Sequence, residues 1–310
     1  MDFRRIQHFV HVAELGSLSK AAECLNIVQP ALSQSIKRLE DELSVLLFNR
    51  SRRGMELTEA GQTFLNHAYG ILNQYNRAKE SLSTTDGNPQ GLVSVAMTAS
   101  SLEALTVPLA KSLMLHYPKV RLNIESGLAA NIQQAFEAGD YDLVVSHLVS
   151  ADARIHIEKI IEEDLFLTSP YDPNNLGADI DFQYIEGLPL ILPQDRHGVA
   201  PEVTKYAMEK KIELNVAQVA GTMQATLQLI EAGMGHSFLP WSAIHERVEQ
   251  NRISARRVIN PSLHHTVSMV YPTHRPLTPA TIAVMDLIRL AAKEVYNKGN
   301  WAGTMLLESK

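Results

Sequence analysis

Between Asn26 and Arg38 the sequence reads NIVQPALSQSIKR. Gln29, Ala31, Ser33 and Gln34 are small or amide side chains, and Lys37 and Arg38 follow within about a turn. A carboxamide can pair with the N6/N7 edge of adenine, and a serine hydroxyl suits either a base or a phosphate. Small neighbours let a helix come close to base edges. Pro30 sits where a first helical turn would leave its missing N–H without consequence, and a helix N-terminus itself favours phosphate. Arg50, Arg52 and Arg53 crowd a second short stretch and have the charge to hold a phosphate backbone. This is the chemistry of gripping and reading duplex DNA. Two helices joined by a short turn also occur in proteins that never meet DNA, so the surrounding elements must decide.

Those elements suit the task. Phe3, Ile6, Phe9 and Val10 recur at helical spacing. Gly16 ends that helix and Ser17 caps the next, which buries Leu18, Ala21, Ala22 and Leu25. Cys24 is expected to be buried on the same helix. Asn26 tolerates left-handed angles and suits a tight turn. The third helix, from about Gln29 to Leu43, turns Leu32, Ile36, Leu39 and Leu43 inward. A β-hairpin wing follows, with a basic tip at Ser51 to Gly54, and Thr58 caps a long fourth helix running to about Ser83. Along that helix Phe64, Ala68, Ile71, Tyr75, Ala78 and Leu82 recur at steps of four and three, the pattern of a coiled-coil seam between two copies. A single amphipathic helix packed on its own domain would give the same stripe. The polar stretch STTDGNPQG then reads as a linker.

From Leu92 the texture changes to alternating strand and helix, which predicts mainly parallel sheets covered by helices, in two lobes. In such lobes ligands sit beyond the C-terminal ends of strands. Thr98, Ser100 and Ser101, between a strand and a helix, offer hydroxyls and N–H groups to an anion, although ordinary helix capping would use them too. Opposite them the sequence places Leu128, His147, Arg196, His197, Thr222, Met223 and Phe238, with Arg196 and His197 the charged partners for a carboxylate. Histidines with no metal spacing are more often structural, and a lone cysteine makes no thiolate zinc site. No metal or cofactor is expected. There is no phosphate loop, nucleophile elbow or paired-carboxylate motif, so the chain does not read as an enzyme.

Charge supports this division. Of 28 Lys and Arg against 34 Asp and Glu, residues 1–90 hold ten of each, so the whole deficit of six falls on residues 91–310. An acidic body repels a polyanion, which leaves the neutral front end for DNA. The N-terminus has no apolar leader and no run is long enough to span a bilayer. One cysteine fits a reducing cytoplasm.

The runs FVHVAELGSLSKAAECLNIVQPALSQSIKRLEDELSVLLFNR and RRGMELTEAG, in register, resemble the LysR-type transcriptional regulators. GLVSVAM, YDLVVS and IEAGMGHSFLP resemble that family's effector module more weakly. The FRR start and QPALSQ are loosely similar to its nitrogen-assimilation-control branch. The resemblance implies an α/β architecture: an N-terminal winged helix-turn-helix over 1–58, a dimerising linker helix and hinge over 59–90, and a two-lobed periplasmic-binding-protein-like module. Lobe I would hold 91–162 and 267–300, lobe II 163–266, with 301–310 a tail. Gln29, Pro30, Ala31, Ser33 and Gln34 match the family's DNA-contacting segment, and Lys37, Arg38, Arg50, Arg52 and Arg53 its backbone contacts. The implied partners are double-stranded DNA at an interrupted palindrome, a small carboxylate or aromatic acid in the cleft, a second copy in a dimer or tetramer, and RNA polymerase. The rival readings are a regulator that senses no ligand and a ligand-binding protein unrelated to DNA. One departure stands out: the family carries Ser or Thr before Gln-Pro, and this chain carries Val28, which forgoes a cap worth about 1 kcal/mol.

Overall fold

A computed structural model describes residues 2–51, 54–82, 89–127, 139–147, 153–175, 177–193 and 199–307, together with 132, 135 and 136. The chain divides into two units, an N-terminal head within residues 1–85 and a larger body within 86–310.

In the head, α1 (Phe3–Leu15) starts where the Asp2 carboxylate accepts from the N–H of Arg4 and stops at Gly16, whose φ of +59° lies in the left-handed region that favours glycine. Ser17 caps α2 (Leu18–Cys24). Asn26, at φ +54°, makes the turn into α3 (Gln29–Leu43). Ile6, Phe9, Ala21, Ala22, Leu32, Ile36 and Leu39 form one core, each large side chain contributing about 1.5–3 kcal/mol by burial. Phe9 is the hub, its ring 5.2 Å from Phe48 and 5.0 Å from Phe64. Cys24 departs from expectation. The buried face of α2 is Ala21 and Ala22, and the thiol is exposed on another.

The wing consists of β1 (Phe48–Ser51) and β2 (Gly54–Leu57), paired antiparallel. Helix α4 (Glu59–Leu82) begins at Thr58, whose hydroxyl accepts from the Gly61 N–H and donates to the Leu46 carbonyl. Gly61 has no substitute there, because a Cβ would lie 2.0 Å from the Leu47 carbonyl oxygen. The predicted α4 stripe divides. Ala68 is fully buried in the head's own core and Phe64 packs against it, so those two positions serve the fold of the head rather than an outer seam. Ile71, Tyr75 and Ala78 are exposed.

The body's main sheet runs β4-β3-β5-β12-β6-β11-β7, with β10 and β13 also on β6. Its strands are β3 (Gly91–Met97), β4 (Val120–Ser126), β5 (Leu143–Ser146), β6 (Ile155–Pro170), β7 (Ile180–Asp181), β10 (Ser237–Pro240), β11 (Ile253–Ile259), β12 (His264–Pro272) and β13 (Gly303–Met305). A separate parallel pair, β8 (Pro189–Leu192) and β9 (Asn215–Val219), belongs to the second lobe. Among the described residues, five body helices cover these sheets: α5 (Ala99–His116), α6 (Ala200–Lys210), α7 (Met223–Glu231), α8 (Trp241–Glu249) and α9 (Pro279–Asn297). The run NIQQAFEAG at 131–139, one of the helical stretches in that alternation, lies largely outside the described residues.

The sheet is mixed, not mainly parallel. β3 pairs parallel with β4 and β5, but β12, β13, β10 and β11 all pair antiparallel with β6. The cause is β6 itself. This 16-residue strand carries the chain out of one lobe and into the other. β12 and β13 pair with it as far as Asp164, and β10 and β11 pair with it from Leu165 onward. The return falls at His264, where β12 begins, so the boundary expected at 267 lies inside a strand. Nor do residues 301–307 form a tail. Trp301 is buried in the first lobe's core and β13 lies on β6.

Candidate functional site

Two sites follow from this frame. On the head, Leu32, Ile36 and Leu39 bolt α3 down, which leaves Gln29, Pro30, Ala31, Gln34, Lys37 and Arg38 exposed and Ser33 half-buried on its outer face. Ser19 donates to Gln29 Oε1 at 3.1 Å, so the amide's NH2 group is left to donate outward. Val28 occupies the capping position without a side-chain bond and is 70% exposed. The wing is pinned to α3 by Glu40, a buried side chain whose Oε1 accepts from the N–H groups of Leu47 and Phe48 at 2.8 and 3.2 Å. On the other side, the Met55 N–H donates to the Gly16 carbonyl at 2.9 Å. Arg50 lies on β1. Arg52 and Arg53 lie outside the described residues. An outward row of amides and cations on a rigid helix, beside an anchored hairpin, can meet base edges with one element and phosphates with both.

The second site is a cavity of about 150 Å³ between the body's lobes. Thr98, Ser100, His147, Thr222, Met223 and Phe238 all line it. Ser101 does not: it is fully buried, with its hydroxyl 3.3 Å from that of Thr98. Leu128, Arg196 and His197 lie outside the described residues, although Pro193 and Val199, on either side of the last two, are in the wall. The first turns of α5 and α7 both open on the cavity through Ala99, Ser100 and Met223. At α7 the Thr222 hydroxyl accepts from the Ala225 N–H. At α5 Thr98 makes no capping bond, so those N–H groups are not satisfied by it. Leu165, Ala220, Phe238, Leu239 and Pro240 make most of the remaining wall apolar, with Thr226 and Ser237 as further hydroxyls. The cavity offers a few donors and hydroxyls in an apolar shell, the usual arrangement for a small polar-headed molecule.

His265 is also in the wall, and no motif or spacing in the sequence marks it. Its Nε2 lies 2.8 Å from Glu163 Oε2, and its ring stacks on His147 at 4.4 Å. Glu163 is fully buried, and its Oε1 accepts from Ser242 and Trp301 at 2.6 and 2.7 Å. Burial, with His265 adding to it, pushes the His147 imidazole down to about 3. Among the described residues no group of three His, Cys, Asp or Glu is placed to hold a metal, and no helix is long and apolar enough to cross a membrane.

Comparison with known proteins covers the same two regions. Residues 3–62 match the family described as bacterial regulatory helix-turn-helix protein, lysR family, and residues 86–293 match the LysR substrate binding domain. The chain is 28% identical over 303 residues to the nitrogen assimilation regulatory protein nac of Escherichia coli (strain K12), covering 97% of this chain and 99% of that one. It is 27% identical to the HTH-type transcriptional regulator AlsR of Bacillus subtilis (strain 168), covering 86% and 94%. Among solved structures, CbnR, a LysR family transcriptional regulator, superposes with a TM-score of 0.73 at 24% identity, over 94% of this chain and 99% of that one. Full-length CbnR complexed with its target DNA gives the same TM-score.

Proposed function

The chain belongs to the LysR family, which makes it a DNA-binding transcriptional regulator with an effector-binding domain and not an enzyme, and from that premise we propose how its two sites divide the work. The α3 face reads the major groove, with Gln29, Ser33 and Gln34 at base edges and Lys37, Arg38, Arg50, Arg52 and Arg53 on the backbone. The exposed stripe of Ile71, Tyr75 and Ala78 pairs two heads. A two-fold pair reads two half-sites about one helical turn, ~34 Å, apart, hence an interrupted palindrome. The bodies pair again to give a tetramer, and the assembly acts in the cytoplasm on promoters served by RNA polymerase.

The cleft senses a small organic acid. The observation that carries this is the meeting of two helix first turns with Ser100, Thr222 and His147 inside an apolar shell. The acid shifts the population between lobe arrangements, which requires different affinities for the two states. This shift in turn alters the grip on DNA. For the reading helix the test is Gln29→Ala with Ser33→Ala. Sequence preference should vanish while the circular dichroism stays native, and a retained preference rejects the assignment. For the cleft, an acid that raises the melting temperature of the parent but not of Ser100→Ala is the expected result. An equal rise in both moves the acid site elsewhere.

A further inference from the structure

His147 follows directly on β5 and forms part of the cavity wall. Both of its ring nitrogens are shut off from solvent and have no hydrogen-bond partner among the described residues. An imidazole has a donor and an acceptor to satisfy, or two donors when charged, and buried polar groups are nearly always satisfied. The neighbouring ring, His265, stacks on it with planes 22° apart, yet its own Nε2 is committed to Glu163. Glu163 is in turn held by Ser242 and Trp301. The other described groups that act here are Glu202 on α6, which interacts with His265 and His264 of β12 and with Lys205. No lysine or arginine among the described residues lines the cavity. Among the described residues His147 is therefore the uncommitted basic group in the wall, and it is neutral when the cleft is empty because burial and the adjacent imidazole disfavour its charge.

A carboxylate placed against such a ring reverses that balance, because an opposite charge in close proximity favours the imidazolium. Building on the reading of the cleft as an acid site, we propose that the organic acid enters together with one proton, which His147 holds against the bound carboxylate. The liganded protein then carries more protons than the free one, so affinity rises as pH falls. The proton comes from solvent and no bond is broken in the ligand. Glu163 decides its destination by keeping His265 occupied. The regulator thereby reports acid and acidity jointly.

The test is isothermal titration calorimetry on the full chain with benzoate and isovalerate, and with their neutral amides, from about pH 5.5 to 8 in buffers of different ionisation enthalpy. At least one acid should bind with uptake of about one proton, its Kd weakening by up to about tenfold per pH unit, while the amides show no uptake. His147→Gln should bind the acid without proton uptake, and His116→Gln, at the exposed far end of α5 and away from the cavity, should keep the uptake. Acid binding without uptake in the parent, or uptake that survives His147→Gln, overturns the proposal while leaving the acid site intact. If neither acid binds, both readings fall. Side-chain ¹⁵N NMR of the parent provides a second measurement that needs no folded variant: the His147 signals should become those of an imidazolium on adding the acid, and a neutral ring in the complex overturns the assignment.

Discussion

At the residue scale, Val28 sets the first expectation. Its backbone already has the extended angles of a cap, φ −76° and ψ 139°, and its side chain is largely in solvent. Val28→Ser should therefore add a hydrogen bond at little packing cost and stabilise the head by about 1 kcal/mol, read as a rise in melting temperature. His147 sets the second. Its pKa is about 3 when folded against 6.5 in the open chain. The unfolded chain takes the proton first, so the stability due to the neutral ring is intact above 6.5 and diminishes as pH falls towards 3. The decline is at most about 1.4 kcal/mol per pH unit. His147→Asn should flatten that acid limb in urea denaturation curves. Some residues are legible in sequence and others are not. Ser17, Asn26 and Thr58 announce themselves because capping and left-handed turns depend on local chemistry. Glu163, in the run Glu162-Glu163-Asp164, looks like solvated surface. The signal that could find it is parity: it shares the odd register of Ile161, Leu165 and Leu167, all buried. His265 escapes notice because its partner is 102 residues away.

At the scale of elements, α4 changes character along its length. Its first half closes the head's core through Phe64 and Ala68, while Ile71 and Ala78 face outward. Ile71→Glu with Ala78→Glu should leave the head folded and split the heads apart, since like charges would face each other along the seam. Light scattering should show a smaller particle, and DNA affinity should fall by at least about tenfold as two-site avidity disappears. Sequence periodicity places the head helices to within a residue or two because they bury single faces. It cannot apportion the α4 stripe, since an apolar face looks the same whether it meets its own domain or another copy. It also suggests parallel sheets, because alternation along a strand carries no information about the direction of its neighbour. The antiparallel pairs on β6 arise from the chain's return, which only the whole path reveals.

For the whole molecule, charge is the governing quantity. The first 90 residues are neutral and the remaining 220 carry the net −6, so the body adds repulsion that the DNA-binding head must outweigh. Arg52→Ala with Arg53→Ala should weaken binding to all sequences alike and reduce the salt slope by about one for each phosphate no longer neutralised. A filter-binding series against salt measures it. Weakening confined to one sequence would instead mean that these arginines touch bases. The two-lobed plan is legible from alternating elements, but the role of the closing residues is not. Trp301 finds its place only against Glu163, 138 residues earlier.

Strand β6 belongs to both lobes, so they share a single odd-even count. Its one irregularity is at Ile160, where the pairing with β12 slips between Val267 and Ser268. From Ile161 to Leu167 every odd position points inward, on both sides of the crossing. Removing a single residue near Asp164 would keep one lobe's register and exchange the other's two packed faces, sending Leu165 and Leu167 to the side where Phe166 meets Leu239. Evolution can thus lengthen this protein's loops freely, but it can edit the joint between the lobes only two residues at a time.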